Sequence, residues 1–529
     1  MQKILFIMGI GDGNLISGYI DAHPEHEAVY AYEPDENKYL AFEKSETGKK
    51  LIENVRFHPL HPGLDYDIRD FINEGIDYHS LGYLVLPGYD PKSKEALEFY
   101  DDIKFAIDIC SAHECTNRLF CVRSADNELS NLPIMIEQRN VLQLTEKLQS
   151  MNLEGYPGIV VSSGPSLDKN IKDLKAAHGK AFIVAVDGAI KSCLREGIRI
   201  DVAVCIDPGK EEILFSEPGT ENIPFIFSKD APSKLAKRLK NSIFFSSYMR
   251  DDIPSSMAQK CGLPGYIELE SGGSVAHSAC SFLKKCGFRN IILVGQDLAY
   301  TGGIGHAKDA YDDDRYNAEF AARNGVVQVE GIDGQMVLTA ENMAFYIRWF
   351  ERFIQHNPDI HIVDATEGGA LIRGTEIATL KAAIDHYCNK EADFEAVVAG
   401  IEPYYSGENR DTAIEYLAGI EKMAKEVRVR SQEADRLYED LKMIIKGRKK
   451  GNVKAILDKT RVLVTEIESS EILYLIMNYV ADDEYDVKNE MVSTECGDAL
   501  REIGMAQKLV KSYCRGAQRI IEKASEIGL

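Results

Sequence analysis

The sequence has no long apolar run. None of its stretches, over 529 residues, approaches the roughly 20 apolar residues that a membrane-spanning helix needs. The first apolar run, in MQKILFIMGIGDG, is too short for a signal peptide and leads directly into a glycine turn. We therefore expect no membrane span and a cytoplasmic location.

Positive charge is scarce. Lysine and arginine number 61 against 84 aspartates and glutamates, which gives a formal net charge of -23. Such a chain is not expected to have a general affinity for nucleic acid or for an anionic membrane surface. An anionic ligand would have to be held by a local group of backbone N–H donors or by a helix end.

Paired cysteines are missing too. The 11 cysteines are an odd number and form no CxxC pair. Cys110, His113, Cys115 and Cys121 lie close together in the chain, but their spacing matches no familiar zinc pattern. We expect reduced thiols, as is usual in a cytoplasmic protein.

The length and the change of pattern along the chain predict an α/β protein of several domains. Hydrophobic residues make up 45% and charged residues 27%, as in globular proteins. We predict a Rossmann-like α/β domain with a helical extension over 1–150, a second α/β domain over 151–380 and an all-α helical bundle over 381–529. In the extension, the apolar spacing predicts helices over Ser93–Cys110 and Asn131–Leu153.

The first segment has the layout of a nucleotide-binding βαβ unit. Predicted strands cover Lys3–Met8, Ala28–Tyr32 and Leu81–Leu86, and a glycine turn, Gly9–Gly13, follows the first of them. Glu33 ends the second strand, where an acid can bind a ribose hydroxyl. The segment looks like the first half of a methyltransferase-type Rossmann domain. A structural unit without a cofactor and a cofactor-binding unit both remain open.

The central segment opens with a possible phosphate seat. The apolar run Ile159–Val161 breaks into a turn of small residues and then a segment that can begin a helix. A helix start offers unpaired N–H groups and the positive end of its dipole, and a glycine lets an anion approach the backbone. The residues expected to bind a ligand here are Ser163, Gly164, Pro165, Ser166 and Leu167.

Further predicted strands of this segment also end in polar residues. Since strands alternate with helices, the pattern predicts a parallel sheet whose carboxyl edge carries the ligand site. We expect these strand ends, and a small-residue helix start, to converge on one cleft. The residues are Asp187 and Gly188, Asp207, Gln296 and Asp297, and the helix start Gly272, Gly273 and Ser274.

The loop after the last of these strands adds a phenol and an imidazole. Tyr300 and His306 lie in a glycine-rich stretch and are expected beside the cleft. The next patterned segment, 325–334, is typical of a β-hairpin and carries Glu330 and Asp333. From about 376 onward the strand signals end and helical spacing with charged faces predicts the bundle.

The central motifs together resemble the motility accessory factor (Maf) family of bacterial flagellin glycosyltransferases. The similarity covers roughly 150–380, and members of that family also carry an amino-terminal α/β domain and a carboxyl-terminal helical domain. The motifs are SSGPSLDKN, AVDGAI, CIDP, SGGSVAHSA, GFRNIILVGQDLAYTGGIGHA and DATEGGALIRG.

A more distant similarity connects the same motifs to small bacterial sialyltransferases that use CMP-sialic acid. In that family the GPSL turn and the following helix start hold the CMP, and tyrosine hydroxyls assist the departing phosphate. The resemblance implies a CMP-activated nonulosonic acid, such as pseudaminic or legionaminic acid, as donor. It implies flagellin Ser/Thr hydroxyls as acceptors.

The residue types suit this chemistry without a cofactor. Hydroxyl groups of Tyr300, Ser163 and Ser166 could stabilise the departing phosphate without a metal. His306 is the first candidate for the general base. Glu330 and Asp333 are the alternatives, because the sialyltransferase histidine lies further beyond the corresponding strand than His306 does.

Several alternatives remain open. Asp207 or Asp297 could bind a divalent ion, although no DxD pair stands at these strand ends. The GPSL-type domain also resembles archaeal pterin diphosphokinases, which are much shorter. A non-catalytic flagellin-binding chaperone would use the helical bundle, and a methyltransferase would use the first domain. A homo-oligomer is possible. The basic run Lys446–Lys450 is expected to be a solvated turn, with a partner-binding patch as the alternative.

Overall fold

The structure is a computed structural model that describes residues 3–24, 26–64, 68, 81–239, 243–246, 252–265, 267, 269–270, 272–310, 325–492 and 499–529. The chain divides into two compact units. The first comprises Met1–Leu119 with Tyr485–Asp498, and the second comprises Phe120–Glu484 with Ala499–Leu529. The three domains predicted from the sequence stay a prediction.

The first unit contains a parallel four-stranded sheet. Its strands are β1 (Lys3–Met8), β2 (His26–Tyr32), β3 (Phe57–Leu60) and β4 (Gly82–Val85), in the order β3-β2-β1-β4. The sequence predicts three of these strands but misses β3, because Pro59 interrupts its short apolar run. Proline is tolerated there since β3 is an edge strand. The helices beside this sheet are α1 (Asn14–Ala22), α2 (Glu36–Lys44) and α3 (Glu46–Ile52).

A long helix follows, α4 (Lys94–Ile136), and it includes Pro133. The two predicted helices of this segment were therefore placed wrongly, since α4 runs through the predicted gap between them. A short strand, β5 (Arg139–Asn140), then separates α4 from α5 (Val141–Gln149). The start of α5 has a local cause, because Asn140 and Gln143 form a capping box there.

The second unit contains a nine-stranded sheet in which every neighbouring pair is parallel. Besides β5, its strands are β6 (Gly158–Val161), β7 (Phe182–Val186), β8 (Val202–Cys205), β9 (Phe225–Ser228), β10 (Ile243–Ser246), β11 (Asn290–Val294), β14 (His361–Asp364) and β15 (Glu376–Ile377). The order is β15-β14-β11-β6-β7-β8-β9-β10-β5. From β6 the chain runs first to one side and later to the other, so β6 and β11 flank the point at which the direction of winding reverses.

The central strands form the core. Every residue of β6, β7, β8 and β9 is buried, as expected for parallel strands covered on both faces. A separate antiparallel hairpin consists of β12 (Val326–Glu330) and β13 (Met336–Ala340), which confirms the predicted hairpin. The helices of this part are α6 (Leu167–Asn170), α7 (Ile190–Arg195), α8 (Ser233–Arg238), α9 (Ile253–Lys260), α10 (Val275–Cys286), α11 (Glu341–His356) and α12 (Leu380–Tyr387).

The carboxyl-terminal region is helical, as predicted. Its helices are α13 (Phe394–Ala399), α14 (Gly407–Ala418), α15 (Ile420–Ile445), α16 (Val453–Glu468), α17 (Leu473–Tyr479), α18 (Ala481–Val492) and α19 (Ala499–Ile527). Ala434, Leu463 and Val510 form a core between α15, α16 and α19. The basic run between α15 and α16 is exposed, and Lys449 pairs with Asp440 at 2.6 Å.

Two further sequence expectations concern apolar runs and thiols. Among the described residues, none of the helices has the length and apolar character needed to cross a bilayer. In the described part of the chain, seven cysteines of the second unit are buried thiols: Cys121, Cys193, Cys205, Cys261, Cys280, Cys286 and Cys388.

Candidate functional site

The polar residues predicted to converge follow four adjacent strands. The order β11-β6-β7-β8 brings Asp297, Ser163, Asp187 and Asp207 to the carboxyl edge of one sheet. The point where the winding reverses lies between β11 and β6, and ligands of open parallel sheets bind in the crevice at such a point. The candidate site is therefore this edge.

Asp297 connects the end of β11 to the turn after β6. Its carboxylate accepts hydrogen bonds from the Ser166 backbone N–H at 3.0 Å, from Ser166 Oγ at 2.7 Å and from Thr301 Oγ1 at 2.6 Å. Burial raises the pKa of Asp297, although the hydrogen bonds from Thr301 and Ser166 oppose that shift. The residue is 1% exposed, so its first role is to hold the turn.

In the turn that was expected to bind a phosphate, backbone N–H groups already donate to acceptors of the chain. Besides the Ser166 N–H, the Gly164 N–H donates to Gly295 O at 2.7 Å and the Leu167 N–H donates to Gly164 O at 3.0 Å. The helix that follows, α6, has only four residues. An anion could use the N–H groups of Gly164 and Ser166 only by displacing these partners.

Gly164 is required by close packing. A Cβ atom at this position would lie 2.3 Å from Asp297 Oδ1 and 2.5 Å from Gly295 O. Pro165 and Gly164 are partly exposed, whereas Ser166 and Leu167 are buried. The small residue thus lets the turn pack against the strand end after β11.

Ser163 and His306 are brought together. Ser163 Oγ lies 3.2 Å from His306 Nδ1, and the Ala307 N–H donates to Ser163 O at 2.8 Å. Ser163 is 8% exposed and His306 is half-buried. If the hydroxyl donates to Nδ1, the ring proton is on Nε2. If Nδ1–H donates to the hydroxyl, Nε2 carries the lone pair that can accept a proton.

Tyr300 lies deeper than a surface loop residue. It is 7% exposed, and its backbone N–H donates to Leu338 O in β13 at 2.9 Å. Leu298, two residues earlier, has a φ of 47°, a left-handed conformation that is unusual for leucine. The hairpin thus covers the start of the loop that carries His306.

The two alternative bases lie on the exposed surface of the hairpin. Glu330 pairs with Arg373, with Oε2 2.9 Å from a guanidinium nitrogen. Asp333 Oδ1 accepts the Gln335 N–H at 2.9 Å and so stabilises the hairpin turn. Each carboxylate therefore has a partner of its own. The His306 ring, in contrast, lies within hydrogen-bond distance of Ser163.

Lys210 joins the two acids that follow β7 and β8. Its Nζ lies 3.3 Å from Asp187 Oδ1 and 4.0 Å from Asp207 Oδ2. The Gly188 N–H also donates to Asp187 Oδ1 at 2.7 Å. Burial raises the pKa of Asp187, and Lys210 opposes that shift. Sequence reasoning missed this lysine, although it stands three residues after Asp207.

The acids suggested for a divalent ion already have other partners. Asp297 accepts three hydrogen bonds, and Asp207 accepts the Gly209 N–H at 2.7 Å and faces Lys210. In the part of the chain that the structure describes, no three His, Cys, Asp or Glu side chains group as a metal site. A divalent ion at Asp297 or Asp207 would have to displace these partners.

The helix start at Gly272, Gly273 and Ser274 packs against aromatic rings. A Cβ at Gly272 would lie 2.3 Å from the Trp349 ring, and His277 stacks on Trp349 with ring centroids 4.0 Å apart. Burial lowers the pKa of His277 to about 3, so this imidazole is neutral at physiological pH. Gly273 lies beside Tyr346, and Ser274 is the N-cap residue of α10.

Tyr346 was also missed. Burial raises the pKa of Tyr346, a side-chain hydrogen bond with Asn342 opposes that shift, and the charges of Asp207 and Lys210 act on it in opposite directions. No sequence signal could have identified it, because Tyr346 lies within the amphipathic pattern of α11 and is most simply interpreted as a core residue.

A buried charged group lies at the end of β9. Lys229 Nζ is 3.1 Å from Glu128 Oε2 and 3.3 Å from Asp252 Oδ2, and it lies 4.2 Å from the centroid of the Tyr474 ring. Burial raises the pKa of Glu128 to about 7, and Lys229 opposes that shift. We call these four residues the Lys229 cluster. Sequence reasoning missed it because its members come from four separate segments.

In the first unit, the carboxylate of Glu33 binds the glycine turn that follows β1. Glu33 is fully buried, and its Oε2 accepts the Ile10 N–H at 3.2 Å and the Tyr89 hydroxyl. A Cβ at Gly9 would lie 2.3 Å from the Tyr89 ring. The carboxylate that was expected to meet a ribose hydroxyl instead binds the turn beside it.

Two comparisons with known proteins return matches. A family model described as 6-hydroxymethylpterin diphosphokinase MptE-like matches residues 126–303, which is less than half of the chain. A solved structure described as MAf glycosyltransferase from Magnetospirillum magneticum AMB-1 is similar, with a TM-score of 0.52 and 15% sequence identity. The likeness covers 99% of this chain and 80% of that one, and at this identity it shows the fold. No curated protein matches the sequence.

Proposed function

We propose that this protein is a cytoplasmic glycosyltransferase that acts in flagellar assembly and motility. It would move a nonulosonic acid, such as pseudaminic or legionaminic acid, from a CMP-activated donor to Ser/Thr hydroxyls of flagellin. The Ser163–His306 contact of 3.2 Å, beside the point where the sheet reverses its winding, is the observation that carries the proposal. The fold likeness to a glycosyltransferase over nearly the whole chain supports it.

The proposed reaction needs one proton acceptor and a set of donors. An acceptor hydroxyl attacks the anomeric carbon of the sugar, and His306 takes the hydroxyl proton. The bond between that carbon and the phosphate oxygen breaks, and its electron pair leaves with CMP. Hydroxyl groups at the carboxyl edge would stabilise the charge that develops on the phosphate. No cofactor enters this sequence of steps.

Ser163 would set the tautomer of the base. When Nδ1–H donates to Ser163 Oγ, Nε2 presents a lone pair to the acceptor hydroxyl. Asp297 holds the Ser166 end of the same turn by two hydrogen bonds, so the position of Ser163 depends on a buried carboxylate. The turn after β6 then contributes to catalysis by positioning Ser163 and need not hold the phosphate itself.

The test is transfer of sugar mass to flagellin. Purified flagellin is incubated with the protein and each of several CMP-nonulosonic acids, and intact mass is measured. We expect an increase for one donor, a loss of at least about a hundredfold in rate for His306→Gln, and no change for His356→Gln, an exposed histidine on α11. No mass increase with any donor would contradict the proposal, and flagellin binding without transfer would favour a chaperone.

A pterin-type diphosphokinase is the second candidate, and the family-model match over residues 126–303 favours it. Such an enzyme transfers pyrophosphate from ATP and is expected to use magnesium held by clustered acids. Nucleotide preference separates the two candidates. Thermal stabilisation by CMP but not by ATP supports the glycosyltransferase, and stabilisation by Mg-ATP alone supports the diphosphokinase.

A further inference from the structure

The loop that carries His306 is rich in glycine. This His306 loop comprises residues 301–310, and it contains three glycines. Gly302 and Gly303 have φ values of 65° and 79°, and a Cβ at either would meet no atom within 4 Å. Glycine has wide conformational freedom, so contacts with residues outside the loop should contribute to the position of His306.

Three consecutive residues after His306 make those contacts. The Ala307 N–H donates to Ser163 O at 2.8 Å, and the Lys308 N–H donates to Asp168 Oδ2 at 3.0 Å. Asp309 forms an ion pair with the Arg195 guanidinium. The loop is therefore attached to the turn after β6, to α6 and to the end of α7.

Arg195 is itself fixed. It is the last residue of α7, and its Nε donates to Glu217 Oε2 at 3.0 Å while a second nitrogen reaches Asp309. A guanidinium that bridges two carboxylates has a defined plane, which a single flexible pair would not have. Asp309 and Glu217 are half-buried, with 21% and 22% side-chain exposure, whereas Arg195 itself is 43% exposed.

Asp168 contributes in a different way. It lies on the first turn of α6, two residues after Ser166, and its carboxylate accepts a backbone N–H of the loop. A bond to the backbone fixes the chain itself, whatever side chain residue 308 carries. Asp168 therefore ties the His306 loop to the segment that carries Ser163.

We propose that Asp168 and Arg195 are positioning residues that hold His306 against Ser163 for the transfer step. This inference rests on the proposed function and adds two residues to it. Neither residue is assigned to substrate or to the reacting atoms. Their loss should leave the donor site intact and let His306 occupy positions away from the acceptor hydroxyl.

If Asp168 and Arg195 only stabilised the fold, their removal would lower the melting temperature. Ion pairs of a partly exposed arginine contribute little to stability, so removing Arg195 should hardly change the melting temperature. Misplacing a catalytic group by about 1 Å can lower a rate by about a hundredfold. The expected outcome is thus a lower kcat with an unchanged KM for the donor and unchanged stability.

The first experiment measures transfer by the full-length protein. We expect Arg195→Ala and Asp168→Ala each to lower kcat about tenfold or more, with KM for the donor unchanged. Arg195→Lys should recover part of the rate because it keeps a cation, and Asp168→Asn should recover part because it keeps an acceptor oxygen. Arg289→Ala is the matched control, since it removes an exposed pair with Asp359 at the opposite edge of the sheet.

The second experiment needs no activity. Hydrogen–deuterium exchange of the 301–310 peptide should be faster in Arg195→Ala and Asp168→Ala than in the wild type, and unchanged in Arg289→Ala. Faster exchange without a fall in kcat overturns the proposal, because His306 would then not need this position. Unchanged exchange overturns it as well. If the wild type transfers no sugar, faster exchange still supports the anchoring and the failure belongs to the proposed function.

Discussion

At the scale of single residues, Asp297 has the largest structural role at the candidate site. It follows β11, accepts three hydrogen bonds and is almost fully buried. An acid in this position binds the turn after β6 to the loop that begins at Leu298. Asp297 is thus a buried hydrogen-bond acceptor whose donors come from Ser166 and Thr301.

Asp297→Asn should destabilise the protein. The carboxamide replaces one acceptor oxygen by an NH₂ group, which would face a donor from Ser166 or Thr301. A buried donor left unsatisfied costs about 1–3 kcal/mol, so the urea midpoint of unfolding should fall. Asp359→Asn, at an exposed position, is the control. An unchanged midpoint for Asp297→Asn would show that these hydrogen bonds are not needed.

The Lys229 cluster should make stability depend on pH. Burial raises the pKa of Glu128 from 4.5 to about 7 in the folded state. Between these values the folded protein holds a proton that the unfolded chain has released, so stability falls as pH rises from about 4.5 to about 7 and levels off above.

Glu128→Gln should remove that part of the pH dependence. The difference in unfolding free energy between pH 5 and pH 7.5, measured in urea, should shrink by an amount on the order of 1–3 kcal/mol. The Glu128→Gln variant keeps a slope of the same sign from Asp364, whose pKa burial raises to about 6. An identical pH profile in both proteins would assign the proton to another group.

At the scale of elements, the two glycine turns have different partners. The turn after β1 closes on Glu33 and Tyr89, and the turn after β6 closes on Asp297. Each is a strand-to-helix connection of the kind that binds phosphate in other proteins. In both, a carboxylate of the chain accepts N–H groups that a ligand would use.

The first turn leads to a prediction about cofactors. Neither S-adenosylmethionine nor NAD should raise the melting temperature, because Glu33 occupies the N–H groups of Ile10 and Gly11. Glu33→Ala should lower the stability of the first unit, since Tyr89 and these N–H groups lose their buried acceptor. A clear thermal shift with either compound would revive the cofactor-binding interpretation.

The second turn leads to a prediction about glycine. Gly164→Ala places a methyl group 2.3 Å from Asp297 Oδ1, so the turn must move away from β11. We expect lower stability and loss of transfer together, by urea unfolding and by intact mass. Gly18→Ala in α1 is the control. Its Cβ would meet no atom within 4 Å, and alanine there should stabilise the helix by up to about 1 kcal/mol. A fully active Gly164→Ala variant would contradict this packing argument.

Sequence patterns predicted the strands well where apolar runs were long. The bounds of β1, Lys3–Met8, agree with the prediction, because its apolar run ends at a glycine. The pattern failed at β3, where Pro59 interrupts the run, and at β5, which has two residues. Short edge strands depend on their neighbours for pairing, and that information is not local.

The location of the candidate site could be predicted from the sequence, but its side-chain contacts could not. Strand ends in a parallel sheet must meet, so Ser163, Asp187, Asp207 and Asp297 could be grouped from the sequence. The Ser163–His306 contact joins residues 143 positions apart, which no periodicity shows. Lys210 follows a strand end and could have been included.

At the scale of the whole molecule, α4 and α17 both reach the sheet of the second unit. Asn131 Nδ2 donates to Lys229 O at 3.0 Å and to Ala231 O at 2.8 Å, and the Tyr479 hydroxyl donates to Asp126 at 2.6 Å. Tyr474 covers the Lys229 ammonium. The central sheet therefore takes part of its packing from segments on both sides of it in the chain.

A fragment tests whether the predicted domain of residues 151–380 folds alone. Such a fragment lacks Glu128 and Tyr474, two of the three partners of the Lys229 ammonium, and Asn131, which donates to the Lys229 carbonyl. Removing one partner of a buried ion pair costs about 3–5 kcal/mol, so the fragment should not unfold cooperatively in urea. A cooperative transition equal to that of the full chain would support the three-domain division.

The buried thiols can be used to measure local unfolding of the second unit. Cys193, Cys205, Cys280 and Cys286 lie in or beside the central sheet, and burial raises the pKa of Cys193 to about 12. A thiol-specific reagent can reach them only while their surroundings are briefly unfolded. The order in which these cysteines gain reagent mass would rank the local opening free energies around α7, β8 and α10, without any label being engineered into the chain.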